Sequence, residues 1–175
     1  MISIQQIPLI VFLVLLFSSA ATADIQAVTE DGRKVLLKDN NTWEYIQSTQ
    51  GDPAISAVLS VINVEDLGSL CKLGLRLQNN LGYKIKSLVP SFTAYKTGGL
   101  RFESVSQSFS SIKPTLDLYR EIQFHGLGCS EIDHIQVHGA DQCDMGPLDK
   151  YNNEEGECLS KVFVEPSDLI NIKPG

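Results

Sequence analysis

The first 23 residues contain no Lys, Arg, Asp or Glu. Within them the run 7–17, IPLIVFLVLLF, is apolar throughout. It falls short of the roughly 20 apolar residues that a bilayer span requires, but it suits the hydrophobic region of a signal peptide. Small residues follow, and Ala21-Thr22-Ala23 fits the A-x-A cleavage pattern, so residues 1–23 are predicted to be a cleavable secretory signal peptide with Asp24 opening the mature chain. The leader also lacks a basic n-region beyond the terminal amine, which departs from the usual pattern. The short run and the absence of a following stop-transfer pattern argue against an uncleaved anchor. The absence of Cys at the cleavage zone argues against a lipid anchor.

Basic residues are the second deficit. The chain has 14 Lys and Arg against 21 Asp and Glu, a formal net charge of -7 at pH 7, and the basic residues are scattered. Nucleic acid and anionic membrane surfaces both require a concentrated basic patch, so neither is an expected partner. No stretch has a sustained helical period. No G-x-S-x-G is present, and cysteines held in disulfides leave no thiol nucleophile. The reading is therefore of a non-enzyme without a cofactor.

What is present is β patterning. In 24–47, the turn clusters Asp31-Gly32 and Asp39-Asn40-Asn41 separate three short β-type runs, which predicts a three-stranded meander. The polar stretch 48–54, with Gly51 and Pro53, reads as a linker. In 55–175 the clearest strand is 70–78, where Cys71, Leu73, Leu75 and Leu77 alternate with Lys72, Gly74, Arg76 and Gln78. Such alternation buries one face and wets the other. Residues 115–124 repeat the pattern with Leu116, Leu118, Ile122 and Phe124; Arg120 interrupts the apolar face, as expected near a strand end or of a snorkelling side chain. Further strands are predicted at 57–64, around Leu88, Phe92 and Ala94 with Pro90 marking an edge or bulge, at 100–105, around Ile135 and Val137, and finally around Val162 and Val164. About seven short strands so spaced predict an all-β, immunoglobulin or fibronectin-III-like antiparallel sandwich, with a small barrel as the alternative architecture.

Four cysteines, Cys71, Cys129, Cys143 and Cys158, all follow the leader. In an oxidising compartment an even count implies two disulfides, with three possible connectivities. In an immunoglobulin-like sandwich the second and sixth strands start at the same end, facing each other across the core. This favours Cys71–Cys129 and leaves Cys143–Cys158 to close a polar loop, without removing the other pairings.

His125, His134 and His138 fall in one window with Asp133, Asp141 and Asp144, which suggests a metal site by composition. If 131–138 is a strand, however, His134 and His138 lie about 13 Å apart, too far to share a zinc or copper ion. The loop 139–156 carries Asp141, Asp144, Asp149, Glu154 and Glu155, but its spacing is not that of an EF-hand. As a long loop it is the first candidate contact surface, with Asp149 and Tyr151. Trp43 and Tyr45 are further candidate contacts: exposed, Trp43 would anchor a partner, whereas packed it would cover the seam between meander and sandwich. Asn40-Asn41-Thr42 matches a glycosylation sequon, relevant in a eukaryotic host.

The stretch TEDGRKVLLKDNNTWEY, 29–45, resembles a segment near the mature N-terminus of small exported bacterial proteins of an uncharacterised family, which reads DG-KVLLK-D-GTWEY; Asn41 stands in place of its Gly. The central part is similar to bacterial immunoglobulin-like FxLYD domains: Asn79-Asn80-Leu81-Gly82 stands at a turn, and Phe92 and Tyr95 match the motif while Ala94 and Lys96 do not. These resemblances imply export and a β fold, and carry no functional residues across. The functional expectation is a non-enzymatic binding module of the periplasm or cell exterior, engaging a protein or envelope component, without membrane insertion after signal cleavage. The alternatives are a metal-binding protein and a hydrolase or hydrolase inhibitor.

Overall fold

The computed structural model describes residues 25–28, 34–38, 42–45, 50–140, 142–149 and 156–175. The expected leader, the Asp31-Gly32 and Asp39-Asn40-Asn41 turns and Tyr151 lie outside them. The described residues form strands and short 3-10 turns, with no α-helix.

β1 (Ile25–Val28), β2 (Lys34–Leu37) and β3 (Trp43–Tyr45) form an antiparallel sheet in that order. Lys38 N–H donates to the Thr42 carbonyl at 2.9 Å, closing the second hairpin.

β4 (Ala57–Asp66), β5 (Leu70–Asn79) and β10 (Asp117–His125) make one antiparallel sheet, to which β13 (Val162–Val164) adds in parallel beside β4. The opposing layer is built on a long bent hairpin. One arm is β6 (Ile85–Leu88) and β7 (Pro90–Lys96); the other is β8 (Leu100–Ser106) and β9 (Phe109–Ile112). β11 (Ile132–Gly139) pairs with β7, and β12 (Asp144–Met145) pairs with β6. β14 (Ile172–Pro174) lies parallel to β11.

The orders β10-β5-β4 and β11-β7-β8 are those of an immunoglobulin-like sandwich. The parallel edge strands β13 and β14 depart from the expected all-antiparallel pattern. β14 also follows the strand expected to be last; three residues are too short to register as a periodic signal.

The core is the inward face predicted by alternation. Cys71, Leu73, Leu75 and Leu77 are fully buried, together with Phe92, Phe109, Phe124, Ile135 and Val137. Two bulges keep this face in phase. One displaces Ile62 of β4 to the surface; the other, next to Asp133 in β11, lets Ile132 and Ile135 both point inward across an odd spacing.

Pro90 is at neither an edge nor a bulge. It is the first residue of β7, a central strand between β11 and β8. Its missing N–H falls where the ladder is broken at Val89, so no bond is forfeited. Arg120 is in mid-strand opposite Leu75, not near an end. Its guanidinium reaches past the sheet edge to the Ser108 and Tyr119 carbonyls at 3.4 and 2.9 Å, so it snorkels.

Asn79, read from sequence as part of a turn, is completely buried. Its Nδ2 donates to the Tyr83 and Ile112 carbonyls at 2.9 and 3.0 Å, and its Oδ1 accepts from Leu81 N–H at 3.0 Å. Its backbone also bonds Leu116 and Thr115. One side chain thus fixes two crossings at the far end of the core. The segment it holds includes Ser111 and Thr115 at φ 62° and 68°, a region costly for a β-branched residue.

Asn79→Ala strands three backbone groups and is expected to destabilise by about 3 kcal/mol. Thr115→Gly relieves the left-handed backbone and is expected to stabilise by about 1 kcal/mol. Urea unfolding followed by circular dichroism measures both.

Candidate functional site

The cross-strand geometry pairs Cys71 with Cys129 and Cys143 with Cys158, leaving no free cysteine. The first bond spans 58 residues of sequence and joins the start of β5 to the turn before β11, as the strand order favoured. The second spans 15 residues and closes the polar loop.

The Cys71–Cys129 end of the sandwich is where the structure gathers the most surface chemistry. Three turns meet there: 66–70 between β4 and β5, 96–100 between β7 and β8, and 125–131 between β10 and β11. Gly126 and Gly128 make the meeting possible. Gly126 has φ +77°, and its N–H donates to the Ser69 carbonyl at 2.7 Å. Gly128 presses on the neighbouring turn so closely that a Cβ there would lie 2.6 Å from the Gly68 carbonyl oxygen. Between them Leu127 is fully buried and pins the turn to the core.

Carboxylates fasten the remaining amides. Asp66 accepts from Gly68 and Ser130 N–H at 2.9 and 3.1 Å, Glu131 from Gly128 N–H at 3.0 Å, and Glu103 from His125 N–H at 2.9 Å. Hydrogen bonds from the Gly68 and Ser130 amides hold the Asp66 carboxyl below its ordinary value of 3.8. Lys96 bridges the turns, 3.8 Å from Glu131 and 4.7 Å from the centre of the Phe102 ring. On this fastened frame Leu67 and Leu100 are 55% and 66% exposed, and Phe102 is 38% exposed.

The outer face of the β11-β7-β8 sheet is a polar ladder. Thr93, itself buried, bonds Ser104 at 2.6 Å on one side and the His138 ring on the other. Ser91 meets Ser106 at 2.8 Å, and Arg101 donates to Ser104 at 2.9 Å. Tyr95 stacks on His134 with centroids 4.7 Å apart and donates to Gln136 at 3.1 Å. Such cross-strand pairs stabilise the sheet and occupy its hydroxyls.

The three histidines are not brought together. His125 ends β10 in one sheet, whereas His134 and His138 stand on β11 in the other. His134 Nδ1 donates to the Asp133 carboxylate at 2.7 Å. Among the described residues no three His, Cys, Asp or Glu side chains are placed to hold one ion. Asp144 of the acidic loop pairs with Lys86 at 3.0 Å. Asp149 is half-buried. Trp43 is more than half exposed and stands opposite Leu37, which is also exposed; Tyr45 stands opposite Val35 in the same ladder.

The sequence reading missed the 66–70, 96–100 and 125–131 turns as one surface. Thr97-Gly98-Gly99 and Gly126-Leu127-Gly128 carry the glycines that mark turns, but local sequence does not show that strand order stacks those turns at one end. Residues 5–67 match the family described as Protein of unknown function (DUF3157), about a third of the chain. The match spans the DGRKVLLKDNNTWEY segment and supports an uncharacterised family, without bearing on that motif itself. It stops at Leu67, before the strands with the FxLYD-like pattern. No curated protein and no solved structure matches the chain.

Because its folded pKa is depressed, the Asp66 clamp contributes stability that is fully present above the unfolded value of 3.8 and is lost as pH falls through the lower folded pKa. In an NMR titration the Gly68 and Ser130 amide shifts of the wild type are expected to move together with a midpoint below 3.8, and Asp66→Asn is expected to abolish that transition.

Proposed function

We propose that this chain is an exported, non-enzymatic binding module of the bacterial periplasm or cell exterior that engages a protein or envelope component. The observation that carries the reading is the set of exposed apolar side chains, Leu67 on the 66–70 turn and Leu100 and Phe102 at the start of β8, at an end of the sandwich whose turns 66–70 and 125–131 are fastened by a disulfide and by carboxylate–amide bonds. Rigid presentation lowers the entropy cost of association, and functional residues concentrate on loops carried by a stiff scaffold. Two disulfides fit an oxidising compartment. Among the described residues no helix is long and apolar enough to cross a membrane. The leader-like run 7–17 and Ala21-Thr22-Ala23 support secretion with cleavage before Asp24.

Export is tested by mass spectrometry of protein recovered from its own cells. The expected species begins at Asp24 and resists alkylation at all four cysteines until reduced. Four reactive thiols would remove the basis of the reading. Function is tested by capture from the cell envelope with the full mature chain as bait. A stoichiometric partner that no longer binds the reduced protein is the expected result. Turnover of a cell-wall substrate without a retained partner would instead favour a hydrolase.

A further inference from the structure

The end of the sandwich that carries Leu67, Leu100 and Phe102 also carries a group of carboxylates. Asp66 and Glu131 stand on its turns, Glu103 lies in β8, and Glu65 lies next to Asp66 at the close of β4. The opposing cations are Lys96, already beside Glu131, Lys72, which pairs with Glu65 and Glu121 at 3.6 and 3.0 Å, and Arg101, between Leu100 and Phe102 in β8, which donates to Ser104. Bonding to amides does not discharge the carboxylates. For Asp66 the amide bonds favour the ionised form. Apolar side chains sharing one end of the sandwich with carboxylates suit a ligand of complementary pattern.

We propose that this end docks a polypeptide segment presenting an apolar side chain flanked by Lys or Arg. The apolar group would lie against Leu67, Leu100 and Phe102, and the cations would face Asp66, Glu103 and Glu131. A second copy of the chain does not fit, because at -7 the copies repel one another and this surface has the same sign as the whole. Anionic lipid is disfavoured for the same reason. The inference rests on the binding-module reading above and adds the surface and the chemistry of the partner.

The test places the photo-crosslinking residue p-benzoylphenylalanine in the full chain, one position at a time, in the cells that produce it. The positions are Leu67 and Leu100 and, at the opposite end, the equally exposed Ile55 and Leu116. Adducts are expected at Leu67 and Leu100, mapping to a Lys- or Arg-rich segment of one protein. Binding of that purified protein should fall as salt rises and should weaken about tenfold in Leu100→Ser, an exposed substitution that leaves the core untouched. Adducts confined to Ile55 or Leu116 would remove this surface while leaving a binding module in place. Adducts to lipid or glycan, an acidic contact segment, or salt-independent binding would overturn the partner chemistry. Irradiation without an adduct at any of the four positions would overturn both this inference and the reading on which it rests.

Discussion

The covalent tie between Cys71 and Cys129 is the constraint on which the candidate site depends. It joins the start of a central strand of one sheet to the turn that opens a central strand of the other. By the chain-entropy account, closing a loop of this size contributes about 4 kcal/mol, and the shorter Cys143–Cys158 loop about 3. The consequence for the surface is as important as the stability. The tie holds 125–131 against 66–70, close enough for backbone contact at Gly128 and for Asp66 to reach amides in both turns. Without it, the carboxylate–amide bonds would have to hold the turns alone against their conformational entropy.

The two ends of the sandwich are stabilised by different chemistry. At the disulfide end, exposed carboxylates satisfy backbone donors of turns that remain wet. At the other end, one neutral buried amide, Asn79, satisfies three backbone groups away from solvent. The first arrangement leaves charge on the surface for recognition. The second leaves a sealed core end with its polar needs met internally, as burial demands. The sides are closed differently again. Arg120 and Glu103 span the seam between β10 and the β8–β9 arm through side-chain bonds to backbone, so neighbouring strand edges are covered without a continuous ladder.

The compositional metal cluster illustrates how a linear pattern misleads. His125, His134 and His138 are close in sequence because a turn and a strand run through them, yet the turn carries the chain from one sheet to the other. Extended backbone spaces His134 and His138 too widely for one ion, and each ring finds a local partner, the Asp133 carboxylate for one and the Thr93 hydroxyl for the other.

Period-two alternation determined from sequence alone that Leu73, Leu75 and Leu77 would face a core, because side chains of an extended strand must alternate and water expels one apolar row. The cysteine count and leader-like run likewise fixed an expectation of disulfides, and strand order favoured their pairing. Tertiary structure alone decided that Pro90 begins a central strand, that β13 and β14 run parallel to their neighbours, that Asn79 is buried, and that three turns distant in sequence share one end. Those outcomes depend on which strands lie side by side and where their ladders break. Local periodicity reports the face of a strand, whereas its neighbours are set by packing of the whole chain.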